Sequence, residues 1–230
     1  CSKMGAHILL ISNNPSSPII NSADFFFDVN AKEEVSVAAT KSYILSLINI
    51  IKLVAFTSNN KTILKHLEKL PEYIDREKDS EWDPRIIDKN ISKGFIISRG
   101  LGYALSTEIS LKFKELSLEL IEPFSSAEVM HGPKTLIDDS LKLFVLNLND
   151  ASGKNVKEGT KLFKQISDKI YFINSFEKDR VSFHFNTTEI AEIDSILLMS
   201  KFYPMIIKYS MLKGLNPDKP RYLSKITKTL

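Results

Sequence analysis

Cysteine is nearly missing from these 230 residues: Cys1 is the only one. A single thiol can close no intramolecular disulfide and no cysteine metal cluster, which excludes a disulfide scaffold and fits a reducing compartment. Charge of one sign is also missing. There are 31 Lys and Arg against 28 Asp and Glu, a formal net charge of +3, and no run of consecutive basic residues forms a patch. No nucleic-acid partner is therefore expected. Long apolar runs are lacking too. The stretch 43–56 is broken by Asn49 and Lys52, and 193–212 by Asp194, Lys201 and Lys208. Neither reaches the roughly 18 uncharged residues of a spanning helix. No basic segment followed by an apolar one marks an export signal, so a cytoplasmic protein without a membrane partner is expected. Low-complexity segments and short tandem repeats are absent as well.

What is present is a globular composition, 43% hydrophobic and 26% charged, with length for one large domain or two small ones at about 100–200 residues each. The opening Cys1-Ser2-Lys3-Met4-Gly5-Ala6 reads as the last turn of a helix with its Gly stop. An apolar run follows at once, so the chain is expected to be a fragment, or a processed chain, that opens inside a domain. Ile8-Leu9-Leu10-Ile11 and Phe25-Phe26-Phe27 read as buried strands. Helical periodicity covers 36–58 and 62–74. A dense charged stretch, 75–81, then Asp83-Pro84, marks a boundary. Beyond it strands are expected at 95–97, 143–148 and 170–173, with helices at 103–118, 156–167 and 190–213. The last of these carries Pro204, where a kink is expected. Alternating strands and helices predict an α/β fold of doubly wound parallel sheets. The organisation expected is 1–75 as the C-terminal part of a first, incomplete lobe, 76–217 as a second lobe, and 218–230 as a C-terminal tail.

Three places carry chemistry. Ser98-Arg99-Gly100-Leu101-Gly102 lies where a strand feeds a helix, the setting in which glycines admit a ligand to the backbone and Arg99 could hold an anion. Two glycines in such a turn can equally serve sterics alone. On the helix that follows, Glu108, Lys112 and Glu115 are spaced four and three apart, which puts them on one stripe. That stripe lies among Leu105, Ile109, Leu116 and Leu111, with Ser106, Ser110, Lys114 and Ser117 opposite. Charge in an apolar arc is costly unless paired or working, whereas a surface ladder of the same residues would add only a few tenths of a kcal/mol per pair. Third, His131 stands before Gly132-Pro133, fixed on a turn, and imidazole titrates nearest neutrality, which suits proton transfer. His7, His66 and His184 have no such setting. No His/Asp/Glu spacing makes a metal site, and neither metal nor cofactor is expected.

Four segments occur in order: Val37-Ala38-Ala39-Thr40-Lys41-Ser42; Ser98-Arg99-Gly100 through Glu108, Lys112 and Glu115; Ser126-Ala127-Glu128-Val129-Met130-His131-Gly132-Pro133; and Pro220-Arg221-Tyr222-Leu223-Ser224-Lys225. Together they resemble the double sugar-isomerase (SIS) domain proteins, over nearly the whole chain. That family includes the isomerase half of glucosamine-6-phosphate synthase and the SIS-type glucosamine-6-phosphate deaminases. The Ser126-Ala127-Glu128-Val129 run and the ending Asn216-Pro217-Asp218-Lys219-Pro220 are more similar to the deaminase branch.

The resemblance implies aldose–ketose interconversion of glucosamine 6-phosphate and fructose 6-phosphate through an enediol-type intermediate, with ammonia released. It assigns Glu115 as the base between C1 and C2, a role helped by apolar neighbours that push a carboxyl upward. His131 would assist ring opening, reaching a neighbouring subunit of a homodimer, and Lys225 would contact the open-chain sugar. Glu108 and Lys112 would tune the base, and Val37 and Ala38 would line the sugar site through their backbone. The family's Ser/Thr-rich phosphate loop has no counterpart in the chain and is expected before Cys1. The isomerase part of a glutamine–fructose-6-phosphate aminotransferase is the alternative within this chemistry. A non-catalytic sugar-phosphate sensor is the alternative of another class.

Overall fold

The computed structural model describes residues 2–89, 91, 93–173 and 182–226. Cys1 and the last four residues of the expected tail lie outside them. The order of elements is β1 (Leu9–Ser12), β2 (Phe25–Asp28), α1 (Lys41–Thr57), α2 (Lys61–Glu68), α3 (Leu70–Glu77), β3 (Gly94–Ser98), α4 (Leu101–Ser117), β4 (Ile121–Ser125), β5 (Lys142–Leu146), α5 (Gly153–Phe163), β6 (Ile170–Ile173), β7 (Ser182–Phe183) and α6 (Ala191–Leu212). Short 3-10 turns fill several connections, among them Ser2–Met4 ahead of Gly5, whose φ is +76°.

Among the described residues all strand pairs are parallel. β1 pairs with β2, and a second sheet runs β4-β3-β5-β6-β7. Taken by themselves, the five strands have the 2-1-3-4-5 order of a doubly wound sheet, with the switch point between β3 and β5. Successive strand residues face opposite layers. Ile96, Phe144, Leu146, Tyr171 and Ile173 join one core with α1, α4 and α6. Phe95, Ile97, Leu143, Val145, Ile170 and Phe172 join the other with Val156 and Phe163 of α5. Burial on both faces is why these strands read as continuous apolar runs.

Several elements differ from the periodicity reading. The helix expected over 62–74 is two, because Pro71 sits at the start of α3 and a new helix begins there. Residues 36–40 precede α1 rather than belonging to it. Strand β4 carries Glu122 and Pro123 and has no apolar run to announce it; β3 is its single partner, so it is an edge strand, where Pro is tolerated. The two-residue β7 is too short to leave a pattern.

The charged stretch 75–81, which begins within α3, packs inward at Glu77. Glu77 is buried, takes the Lys201 ammonium at 2.7 Å and accepts from the backbone and side-chain nitrogens of Asn186. Trp82, also buried, donates its indole N–H to the His184 carbonyl. These contacts tie α3 and its exit to α6 and to the segment that leads into it. No helix among the described residues is long and apolar enough to cross a membrane.

Candidate functional site

Helix α4 carries the charged stripe, and its surroundings reverse part of the wheel reading. The serine face is buried: Ser110 donates to the Ile121 carbonyl of β4, while Ser106 and Ser117 donate to the Tyr103 and Phe113 carbonyls of their own helix. A hydroxyl that bonds a main-chain carbonyl can be buried with little penalty, so serines line the side toward the sheet. Leu111 is exposed, as are Leu101, Tyr103, Ala104 and Thr107 along the outer side of the helix. The charged row lies on the enclosed side.

Within that enclosure the charged stripe meets α6 and α1. The Lys112 ammonium is 3.2 Å from Glu108 Oε1 and 2.8 Å from Glu115 Oε2. Exposure grades along the row: the side chains of Lys112, Glu108 and Glu115 are 3%, 9% and 22% exposed. Glu115 is thus the carboxylate of the row that is most open to an incoming molecule. Tyr203 of α6 donates its hydroxyl to Glu108 Oε1 at 2.8 Å, and Tyr43 of α1 packs edge-on against Tyr203. Burial raises the Glu108 carboxyl above its ordinary range, and Lys112 and the Tyr203 hydroxyl pull it partly back. Burial and the Glu108 charge push the Tyr43 phenol up to about 12, and the same two causes push Tyr203 higher still.

A second group forms where the C-terminal tail folds back onto the segment ahead of α1. Lys225 donates to the Ser36 carbonyl at 2.7 Å and stands 3.7 Å from Glu34 Oε2. Ser36 donates its hydroxyl to Asp218 at 2.5 Å. Glu34 also receives the backbone N–H groups of Thr40, Lys41 and Ser42 and the Ser42 hydroxyl, so it caps α1 from six residues upstream. Its burial would raise its carboxyl, but the Ser42 hydroxyl and the α1 amides outweigh that and hold it below the ordinary value. Buried Ala38 and half-buried Val37 belong to the same segment. The two groups adjoin through Tyr203, whose phenol feels both Glu108 and Glu34.

The other sequence candidates lie apart. Arg99 is exposed at the start of α4, about 20 Å of helix rise from Glu115. The anion position at its turn is already taken, since Asp150 accepts from the Leu101 N–H and a side chain at Gly100 (φ +61°) would run into that carboxylate. A carboxylate of the chain itself therefore caps this helix, with Arg99 exposed beside it, and an anion at the same amides would meet like charge. His131 is exposed at the end of the 3-10 turn Glu128–His131, and its imidazole makes no hydrogen bond among the described residues. Val129 of the same turn is buried and holds the turn to the core. Sequence reasoning missed Glu34, Tyr43 and Tyr203. A tyrosine on an apolar helix looks like core, and Glu34 gains its role only through a turn of chain.

No protein-family profile matches the chain. The glutamine–fructose-6-phosphate aminotransferase [isomerizing] of Buchnera aphidicola is 30% identical over 235 residues, covering 94% of this chain and 38% of that protein. Among solved structures, one named as a phosphosugar isomerase from Silicibacter pomeroyi superposes with a TM-score of 0.81 at 25% identity, over 94% of this chain and 67% of that one. Aminotransferase relatives along nearly the whole chain and a phosphosugar-isomerase fold are what a sugar-isomerase (SIS) domain would show. A glucosamine-6-phosphate deaminase from Thermotoga maritima shares the fold, with a TM-score of 0.67 at 18% identity over 94% of this chain and 65% of that one. The chain spans about 38% of the length of the aminotransferase it matches.

Proposed function

We propose that this SIS-domain chain performs aldose–ketose proton transfer on a hexosamine 6-phosphate, converting glucosamine 6-phosphate and water to fructose 6-phosphate and ammonia, the water oxygen replacing nitrogen at C2. The observation that carries the reading is the graded row on α4, a half-open carboxylate backed by a buried ammonium and a second carboxylate. In this reading Glu115 moves the proton between C1 and C2, and Lys112 and Glu108 orient it. Lys225 reaches the open-chain sugar from the tail, while Val37 and Ala38 offer backbone groups beside it. His131, exposed on its turn, serves ring opening in a neighbouring copy of a homodimer. A positioned base contributes about 10²–10⁴-fold to such a step.

One observation favours a second reading. The curated relatives are aminotransferases of the isomerizing type, which supports the chain as the isomerase part of such an enzyme. The test is ammonia and fructose 6-phosphate release from glucosamine 6-phosphate by the full-length protein and its Glu115→Gln variant. Release that falls at least a hundredfold in the variant supports the deaminase and its base. Turnover that appears only in the glucosamine-forming direction with glutamine supplied moves the reading to the aminotransferase. Sugar-phosphate binding with no turnover in either protein leaves a sensor and overturns both.

A further inference from the structure

Tyr203 is a buried tyrosine whose hydroxyl has one acceptor, Glu108 Oε1, at 2.8 Å. That same oxygen is the one 3.2 Å from the Lys112 ammonium, whose shorter contact, 2.8 Å, goes to Glu115. The charged and titratable groups around the pair are Lys112 and Glu115 on α4, Tyr43 on α1 and Glu34 in the segment before α1. With Tyr43 packed on its ring and α6 holding its backbone, Tyr203 has little freedom to turn away.

Resting on the isomerase reading, we infer that Tyr203 is a positioning residue: its hydroxyl helps keep Glu108 charged, so that Lys112 stays divided between Glu108 and the reacting carboxylate Glu115. Phenol and ammonium divide the demand of one buried carboxylate. Without the phenol, Glu108 keeps a single donor in an apolar setting and takes up a proton more readily. A neutral Glu108 releases Lys112 wholly to Glu115, and a carboxylate held by an undivided ammonium is a weaker base. The hydroxyl therefore sets the strength of a base it does not touch.

The test is Tyr203→Phe, which keeps the ring and its packing. Tyr209→Phe is the matched control, a second buried α6 tyrosine whose hydroxyl goes instead to the Asp88 carbonyl and Glu119. Two readouts are taken on the full-length protein. In the pH dependence of glucosamine 6-phosphate turnover, Tyr203→Phe is expected to lower kcat about tenfold with KM within about twofold, and to move the acidic limb to lower pH. In a ¹³C-carboxyl NMR titration, assigned with Glu108→Gln, the Glu108 midpoint is expected to rise in Tyr203→Phe and stay in Tyr209→Phe. A wild type that turns over while Tyr203→Phe keeps its acidic limb, or shifts it upward, overturns the inference and leaves the isomerase reading standing. No turnover by the wild type overturns the isomerase reading, and the Glu108 titration then decides the tyrosine alone: an unmoved midpoint refutes the link.

Discussion

A lysine side chain only 3% exposed is tolerable because Lys112 never stands alone. Glu108 and Glu115 take it from both sides, and the loss of hydration is offset only while both contacts last. Lys112→Met removes the shared cation and leaves two carboxylates facing each other in a mostly buried row. Breaking such a pair costs about 3–5 kcal/mol, and thermal melting is expected to show a clear drop. The expected direction at the site is opposite to that of Tyr203→Phe, because carboxylates deprived of their cation hold protons more tightly. An acidic limb of activity that moves to higher pH in Lys112→Met checks the sign. The charged row itself was legible in the sequence, since spacings of four and three put three residues on one stripe. Tyr203 and Tyr43 were not: a phenol in an apolar helix has the pattern of core, and only the crossing of α6 and α1 over α4 places it against a carboxylate.

Among the elements, α1 shows how a helix terminus becomes part of a site. Thr40 stands at its N-cap but makes no side-chain cap bond, and Glu34 supplies the capping instead. The same carboxylate faces Lys225, so a helix start and the C-terminal tail share one residue. Glu34→Gln is expected to loosen both. Capping side chains contribute about 1 kcal/mol, and amide hydrogen exchange is expected to quicken at Ser42 and across 218–226 together. Exchange that quickens at α1 and not in the tail would separate the two roles. The pattern of α4 misleads in an instructive way. Ser106, Ser110 and Ser117 counted as the solvent side, yet each finds a main-chain carbonyl and is buried. Polarity in the sequence marks the need for a partner, which water or a carbonyl can supply equally well.

Across the whole molecule, α3 and α6 are held together by charge as well as by packing. Glu77 and Lys201 are both nearly enclosed, and Ser80 adds its carbonyl and hydroxyl to the same ammonium. Burial by itself would raise the Glu77 carboxyl, but Lys201 and Asn186 more than compensate, and its pKa lies below the ordinary 4.5. A carboxyl depressed on folding stabilises the fold above its unfolded pKa and loses that contribution as pH falls through the folded value. The stability difference between wild type and Glu77→Gln is therefore expected to be full at pH 6–7 and to shrink as pH drops below about 4.5. Denaturant unfolding at a series of pH values measures it; a difference independent of pH would refute the assignment. The dense charge of 75–81 read as a composition break, and burial of Glu77 could not be foreseen, because its partners lie more than a hundred residues away.

By itself the sequence determined the α/β class, the parallel sheets and the charged row on α4, because these follow from periodicities of two and 3.6 and from local spacing. Four ordered motifs also carried the resemblance to sugar-isomerase domain proteins. Tertiary structure decided which charges share one enclosure. It put Asp150 on the turn where an anion was expected, laid the tail and Lys225 against Glu34, and brought Tyr203 to Glu108. Each of these is a contact between residues far apart in the chain. Local pattern is blind to them, since desolvation and pairing depend on the neighbours that folding supplies.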